Sequence, residues 1–303
     1  MVELLGLGNQ NSIIMELSII ILSYNTKDLT ISCIKSVVEQ YKQELDKKEF
    51  EIILVDNASS DKTTEYITKL KIEGLRIIES RKNLGFSNGC NLGAKNAKGE
   101  FLLFLNSDTQ IKDQGFLKMV DFLKKNEKVA VLGGKLKNID GTNQPSVGKF
   151  YNLFNFFFMA LGFERLGLLR QSPDEIIKVD WVGGACLMIR KNVFEKIGGF
   201  EKELFMYWED IELCYKAKKK GFSVYFYSEI TLFHSEQGSS NRTFAILNIY
   251  KGILFFYKKH KSIWEYNFVR IMLFSKAFLL SNFGKISDNK YLAQTYGKAL
   301  ELF

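Results

Sequence analysis

The chain is poor in several residues and motifs that would settle its class at once. Four cysteines among 303 residues, Cys33, Cys90, Cys186 and Cys214, are scattered, with no CxxC pair and each within an apolar or helical stretch. That usage argues against a disulfide framework and fits reduced core thiols of a cytosolic protein. No uninterrupted apolar run reaches the roughly 18 residues that a spanning helix needs. The opening Met-Val-Glu-Leu-Leu-Gly-Leu-Gly lacks the basic start of a cleavable signal, so a place on the cytoplasmic side is expected. Residues 1–16 read as an N-terminal extension, with Met15 standing just before the first strand. There is no GxxxxGK[ST], no GxGxxG after the first strand, no HExxH and no GxSxG. P-loop chemistry, dinucleotide binding of the usual kind and hydrolysis by those routes lose their support. Only two prolines occur, beside 26 phenylalanines in a Lys-rich background; this resembles the coding bias of an AT-rich genome and carries little structural weight.

What is present is a folded composition, 46% apolar, with a formal charge of +8. The charge is uneven. Residues 241–303 hold ten Lys/Arg, from Arg242 to Lys298, against three acids, Glu265, Asp288 and Glu301. A basic surface can attract nucleic acid or anionic lipid. Interleaved Phe244, Ile253, Phe256, Trp264, Phe268, Ile271 and Phe274 favour lipid and disfavour nucleic acid. The plainer alternative is a helical cap on the rest of the chain with a solvated Lys face.

Hydrophobic periodicity predicts strand over Leu17–Ser23, helix over Lys27–Gln40 and strand over Glu51–Val55, a βαβ unit. Ser59, Ser60 and Asp61 signal a helix to about Ile72; then come strand Leu75–Ile78, helix Asn88–Ala97 and strand Phe101–Leu105. These alternating elements imply an α/β fold with a doubly wound sheet. Helix is expected over Gln114–Lys125 and strand over Val129–Leu132. Phe150–Phe163 packs seven aromatics into 14 residues, which suits a core helix or a membrane- or acceptor-facing flap. Val179–Ile189 reads as a strand interrupted at Gly183-Gly184, where backbone can approach a ligand closely. Helix Glu209–Lys219 and strands Ser223–Tyr227 and Ile230–Phe233 follow, with His234 ending the last. Two or three helices close the chain, about 241–259, 262–281 and 288–301.

Three polar points fall at element ends: Asp56-Asn57, Asn106-Ser107-Asp108 and Glu209-Asp210. Ligand sites of open α/β sheets lie beyond the carboxyl ends of the strands, so the three can converge on one edge. Asp108, after the apolar run Phe101–Leu105, is placed to hold a phosphate-bound cation, or else forms an Asx-turn that ends a strand. His234 could supply a further ligand, with a nitrogen donor favouring Mn²⁺ over Mg²⁺ modestly, or could simply bond backbone. Glu209 and Asp210 lie about 100° apart on a helix, so only one can face a reacting centre as a base. Trp208 and Tyr207 can offer a stacking face to a sugar or pack in the core.

Five stretches carry a resemblance: Ile19–Asn25 (IIILSYN), Leu54–Asp61 (LVDNASSD), Asn83–Gly93 (NLGFSNGCNLG), Phe104–Asp108 (FLNSD) and Met206–Cys214 (MYWEDIELC). In order and over about residues 17–240, they resemble the family 2 inverting glycosyltransferases, nearest to the bacterial rhamnosyltransferase-like subgroup. The likeness implies a GT-A fold, a Rossmann-like mixed sheet flanked by helices, here with a C-terminal helical extension. It implies a catalytic domain over 17–240, with a nucleotide-binding half to about 110 and an acceptor half beyond, followed by the tail 241–303. Carried over, Tyr24 and Asp56 would contact the nucleobase, with Ser23 and Asn25 beside them. Asn83, Gly85 and Asn91 would line the donor pocket, with Asn106 and Ser107 at its floor. Asp108 matches the metal carboxylate of the DxD-type motif; Asn106 replaces its first Asp, which makes His234 the expected helper for Mg²⁺ or Mn²⁺. Asp210 matches the general base, with Glu209 beside it, and Trp181, Gly183, Gly184 and Trp208 would face the sugars.

The expected reaction is transfer of a sugar, rhamnose as first guess, from a TDP- or UDP-linked donor to a saccharide or polyprenyl-linked acceptor. The expected location is peripheral, on an anionic inner membrane face. Two other readings stay open: a sugar-nucleotide nucleotidyltransferase, which would release pyrophosphate, and a non-catalytic saccharide- or membrane-binding module.

Overall fold

A computed structural model describes residues 15–160, 170–235 and 241–303. Residues 1–14 of the N-terminal extension and Phe163 lie outside the described residues. Strands β1 (Leu17–Ser23), β2 (Phe50–Asp56) and β3 (Leu75–Glu79) alternate with helices α1 (Lys27–Asp46) and α2 (Thr63–Lys69). Helix α3 (Gly85–Asn96) leads into β4 (Phe101–Asn106) and the short β5 (Thr109–Ile111). Then come α4 (Gly115–Lys125), β6 (Val129–Lys137), and the two-residue strands β7 (Asn143–Gln144) and β8 (Val147–Gly148). Helix α5 (Leu153–Ala160) is followed by β9 (Arg170–Gln171), β10 (Ile177–Val179), β11 (Trp181–Val182) and β12 (Cys186–Arg190). Next are α6 (Lys191–Lys196), α7 (Glu209–Lys219) and β13 (Ser223–His234). The helices α8 (Arg242–His260), α9 (Ile263–Ile286) and α10 (Lys290–Leu300) come last.

The main sheet runs β10-β13-β6-β12-β4-β1-β2-β3. Strands β1 to β4 are parallel neighbours, and their runs LSIIILS, FEIILVD and FLLFLN are apolar on both faces. Such strands need helices on both sides. Ile20, Ile53 and Phe104 join one core, beneath α3 and α7, while Ile19, Ile21, Leu54 and Leu103 join the other, beneath α1 and α4. The register sets Ser23 beside Asp56, and Leu22 beside Asn106, so the polar strand ends meet on one edge.

The sheet is mixed, as the resemblance implied, and β12 makes it so by running antiparallel between β4 and β6. Periodicity reads burial but not strand direction. The single strand expected over Val179–Ile189 is divided: β11 belongs to a small second sheet with β8 and β9, and Gly183-Gly184 carries the chain into β12. Conversely, the two strands expected over 223–233 are one, with an irregularity between Tyr227 and Thr231. Helix α1 outruns its expected end through a kink at Tyr41, whose hydroxyl accepts from Phe116 N and donates to Asp113 O. All four thiols are buried, and burial pushes Cys33, Cys186 and Cys214 up to about 12.

Helix α8 is part of the body. Its Tyr250, Ile253, Phe256 and Tyr257 continue the core beneath α7, and α9 and α10 pack outside it. Gly252 lets α8 approach closely, because a Cβ there would stand 2.6 Å from Trp208 Cβ. Below it, the fully buried Glu212 of α7 accepts from His260 Nε2 at 2.7 Å and from Lys259 Nζ at 3.2 Å. Burial pushes the Glu212 carboxyl up, but His260 and Lys259 together outweigh it and hold the group below its ordinary value. Its contribution to stability is therefore present above the ordinary glutamate value and lost as pH falls through the lower, folded value. Removing one partner of a buried pair strands the other, at a cost of about 3–5 kcal/mol. Glu212→Ala should lower the unfolding free energy by roughly that amount at pH 7 in urea titrations; an unchanged midpoint would show that the pair does not fasten α8.

Candidate active site

The carboxyl edge of the sheet opens into a cavity of about 860 Å³. Tyr24, after β1, lines it, as do Asn83 before α3 and Gly85 at its start, and Asn106 at the end of β4 with Ser107 and Asp108 beyond. Asn57 organises this wall: its amide donates to Asn83 Oδ1 at 2.8 Å and to Gly85 O, while its own oxygen accepts from Leu84 N. Gly85 has φ 78°, and a Cβ there would lie 2.4 Å from the carbonyl oxygen of Phe205. Only glycine fits at that crossing.

Asp108 and His234 meet at the cavity. Both are largely buried, and His234 Nε2 lies 3.2 Å from Asp108 Oδ1. His234 Nδ1 lies 2.8 Å from Gln144 Oε1, an acceptor, so that nitrogen carries the proton in the neutral ring. Nε2 then presents a lone pair that accepts from Asn106 Nδ2 at 3.2 Å and lies as near to the Asp108 carboxylate, where a cation could be shared by the two side chains. Two cis ligands at about 2.1 Å from one octahedral ion stand about 3 Å apart, so the pair fits a divalent cation as two of its donors. Among the described residues no third His, Cys, Asp or Glu joins them. The remaining positions would fall to ligand oxygens and water.

Another wall is the start of α7. Tyr207 and Trp208 both hold left-handed backbone, with φ 68° and 72°, at a cost of roughly 1–2 kcal/mol each. This turn presents Asp210, whose Oδ2 accepts from Gly184 N at 3.1 Å and whose Oδ1 accepts from Ile211 N at 2.7 Å. Burial raises the Asp210 carboxyl above its ordinary value, opposed by those two bonds and the Arg170 charge. Its neighbour is different. Glu209 is buried with Oε2 unbonded, and burial, reinforced by the Asp210 charge, pushes it up to about 8. Around Gly184 a Cβ would meet only ordinary contacts at 3.7–3.8 Å, so packing within the protein does not require glycine there.

Asp108, Asp210 and His234 thus border one cavity, together with Tyr24, Asn83, Gly85, Asn106, Ser107, Trp181, Gly183, Gly184, Trp208 and Glu209. Other candidates stand behind it. Ser23 bonds the Thr26 and Thr30 hydroxyls, and Asn25 Oδ1 accepts from Ser60 N. Asp56 Oδ2 accepts from Ser59 N while its buried Oδ1 has no protein partner. Asn91 was expected in the donor pocket, but its amide is spent in two bonds to the Phe200 backbone, fastening α3 to the loop before α7. Trp208 packs against Tyr151 and Phe256, and exposes only its edge.

Residues 18–198 match the family model described as glycosyl transferase family 2. The chain belongs to this family. It is 24% identical over 281 residues to the low-salt glycan biosynthesis hexosyltransferase Agl10 of Haloferax volcanii, spanning 90% of this chain and 84% of that one. It is also 24% identical over 242 residues to the N-acetylglucosaminyl-diphospho-decaprenol L-rhamnosyltransferase of Mycobacterium tuberculosis, covering 71% and 76% of the two chains. Among solved structures, the mannosyltransferase PcManGT of Pyrobaculum calidifontis, in complex with GDP-Man and Mn²⁺, superposes with TM-score 0.58 at 15% identity, covering 95% of this chain and 86% of that one. The S. aureus TarS fragment 1–349 with UDP-GlcNAc gives 0.57 at 17%, covering 95% and 89%. The fold is GT-A, and the protein is a family 2 glycosyltransferase.

Sequence reasoning missed part of this glycosyltransferase's cavity. Gln144, which sets the His234 tautomer, and Arg170, which stands over the Trp181 ring, lie in two-residue strands with no periodic signal. Arg242, Phe244, Ala245 and Ile249 of α8 also line it; their segment reads as a separate tail because its charge balance changes at residue 241. Because Glu209 is raised from 4.5 to about 8, the stability of its protonated form is complete below 4.5 and lost as pH rises through 8. Glu209→Gln should thus melt close to the parent at pH 4 and several degrees above it at pH 9 by differential scanning calorimetry; equal melting at both would place the carboxyl in water.

Proposed function

We propose that this glycosyltransferase moves a hexose, rhamnose in the first instance, from a TDP- or UDP-linked donor to a hydroxyl of a saccharide or polyprenyl-linked saccharide, with inversion. The observation that carries the reading is the Asp210 carboxylate bordering the same cavity as Asp108 and His234. Tyr24, Asn83 and the Asn106–Asp108 turn would hold the nucleotide, with Ser23, Asn25, Asp56 and Asn91 shaping its wall from behind. Asp210, fixed by Gly184 N, accepts the proton of the attacking hydroxyl as oxygen bonds to the anomeric carbon. The bond to the diphosphate breaks on the opposite face, which inverts the centre. Asp108 and His234 would hold Mg²⁺ or Mn²⁺, which when bound neutralises the departing diphosphate. The solved relative in complex with GDP-Man and Mn²⁺ supports the metal, and the diphospho-decaprenol relative supports a lipid-linked acceptor.

Asp210→Asn should lower kcat by roughly 10²–10⁴-fold with donor affinity kept, whereas Glu209→Gln, which mimics a protonated neighbour, should retain most activity at pH 6–7. Wild-type kcat should fall with acid at a pH above the ordinary aspartate range, since burial raises Asp210. Release of nucleoside diphosphate across a donor panel with Mg²⁺ or Mn²⁺ measures this. Pyrophosphate release, or full turnover by Asp210→Asn, would end the proposal.

Peripheral contact with an anionic membrane is part of the reading. Helix α9 is apolar nearly all round: Val269, Leu273 and Ala277 face the core, while Phe278 (51% exposed), Leu279 (66%) and Ile286 (87%) face outward. No helix among the described residues is long and apolar enough to cross a membrane. An exposed apolar face flanked by cations suits the interface of the inner leaflet. Leu279→Glu with Ile286→Glu should reduce co-sedimentation with phosphatidylglycerol vesicles about tenfold, given the apolar area lost from lipid. Undiminished binding would refute this attachment.

A further inference from the structure

A second cavity, of about 890 Å³, lies away from the catalytic one, along α9. Trp264, Phe268, Ile271 and Phe274 form one wall, with Leu153 of α5 and Phe303 opposite. Its polar members are few. Glu265 is engaged in the capping box of α9, accepting from Ser262 N and Oγ; Arg270, whose Nη2 donates to Phe303 O, is the one cation of the lining, with its other guanidinium donors available. A groove of this volume, mostly apolar with one cation at its side, has the character of a site for a long hydrocarbon chain bearing an anionic head.

Two occupants would suit an apolar groove, and charge separates them. A second copy of this chain would bring two segments together that each carry ten Lys/Arg against three acids. Like-charge juxtaposition opposes that pairing. A lipid phosphate complements the same charge. Position points the same way. Leu153 borders the groove, and two residues earlier Tyr151 packs its ring, tilted, against Trp208 at a ring distance of 5.3 Å, in the wall of the catalytic cavity. Tyr151 O also accepts from Tyr257 of α8, the helix whose Arg242 end lines that cavity. The segment leading into α5 and the helix α8 thus touch the wall of the catalytic cavity through Tyr151 and Tyr257, close in the chain to the groove residue Leu153.

From this placement we infer that the groove between α5, α9 and Phe303 seats the isoprenoid chain of a lipid-linked acceptor, with Arg270 toward its phosphate. The inference rests on the lipid-linked acceptor of the proposed function and adds a second binding site to it. It separates two roles on α9: the outer face meets the bilayer, while the groove takes one chain out of it.

The test is photolabelling of the full-length protein in detergent micelles with a diazirine-bearing polyprenyl phosphate, followed by peptide mapping. Label should concentrate on Leu153, the Phe268–Phe274 stretch and Phe303. Ile271→Trp, which fills the groove without removing apolar surface, and Phe274→Asp should each reduce labelling about fivefold or more, a loss of about 1 kcal/mol. Leu70→Asp, an exposed residue at the end of α2, should leave it unchanged. Label spread along Phe278, Leu279 and Ile286 and indifferent to the groove variants would overturn the proposal in favour of surface contact alone. Equal displacement by excess phosphatidylglycerol would assign the groove to membrane lipid, and absence of label would leave it to a protein segment or a second copy; either outcome refutes the isoprenoid assignment. Labelling needs no donor and no turnover, so a failed transfer assay would strike the proposed reaction and leave this result standing.

Discussion

The bond from Gly184 N–H to the Asp210 carboxylate is the contact on which the arrangement of the site depends. It joins the glycine turn between the two sheets to the first turn of α7. Each side is held by something remote. Gly184 is placed by β12, which pairs antiparallel with β4 on one side and β6 on the other. Asp210 is placed by a left-handed pair, Tyr207 and Trp208, whose backbone cost has to be offset by packing. Tyr151, Phe256 and the notch at Gly252 provide that packing around Trp208.

The C-terminal helices are thereby drawn into the active site. Helix α8 covers Trp208 with one turn, grips Glu212 with another through His260 and Lys259, and lines the cavity with a third. A basic, aromatic segment is commonly read as a membrane module, and α9 has that surface. Helix α8 does not; its aromatic residues are core. The charge balance changes at residue 241, and the core beneath passes through that point without interruption.

The two carboxylates of the Glu-Asp pair show how neighbours acquire different chemistry. Asp210 receives two backbone N–H bonds and reaches the cavity. Glu209 is turned into the protein with an unbonded oxygen and keeps its proton well above the ordinary glutamate value. A protonated neighbour keeps a second negative charge away from Asp210. At Asp108 the neighbour is His234, whose Nδ1 is directed to Gln144 Oε1, so that Nε2 meets both Asn106 Nδ2 and the carboxylate.

What the sequence determined by itself was the run of apolar strands, the polar residues at their ends and the single turn of helix bearing Glu209 and Asp210, because burial and backbone preference leave a local periodicity. From these the convergence of Asp108, Asp210 and His234 on one edge could be argued before any coordinates. Only the tertiary structure decided strand direction at β12, the division at Gly183-Gly184, the withdrawal of Asn91 to the Phe200 backbone and the entry of α8 into the cavity wall. Those outcomes depend on partners a hundred or so residues away, such as Phe200 for Asn91, and no local pattern of side chains records which distant backbone an amide will meet.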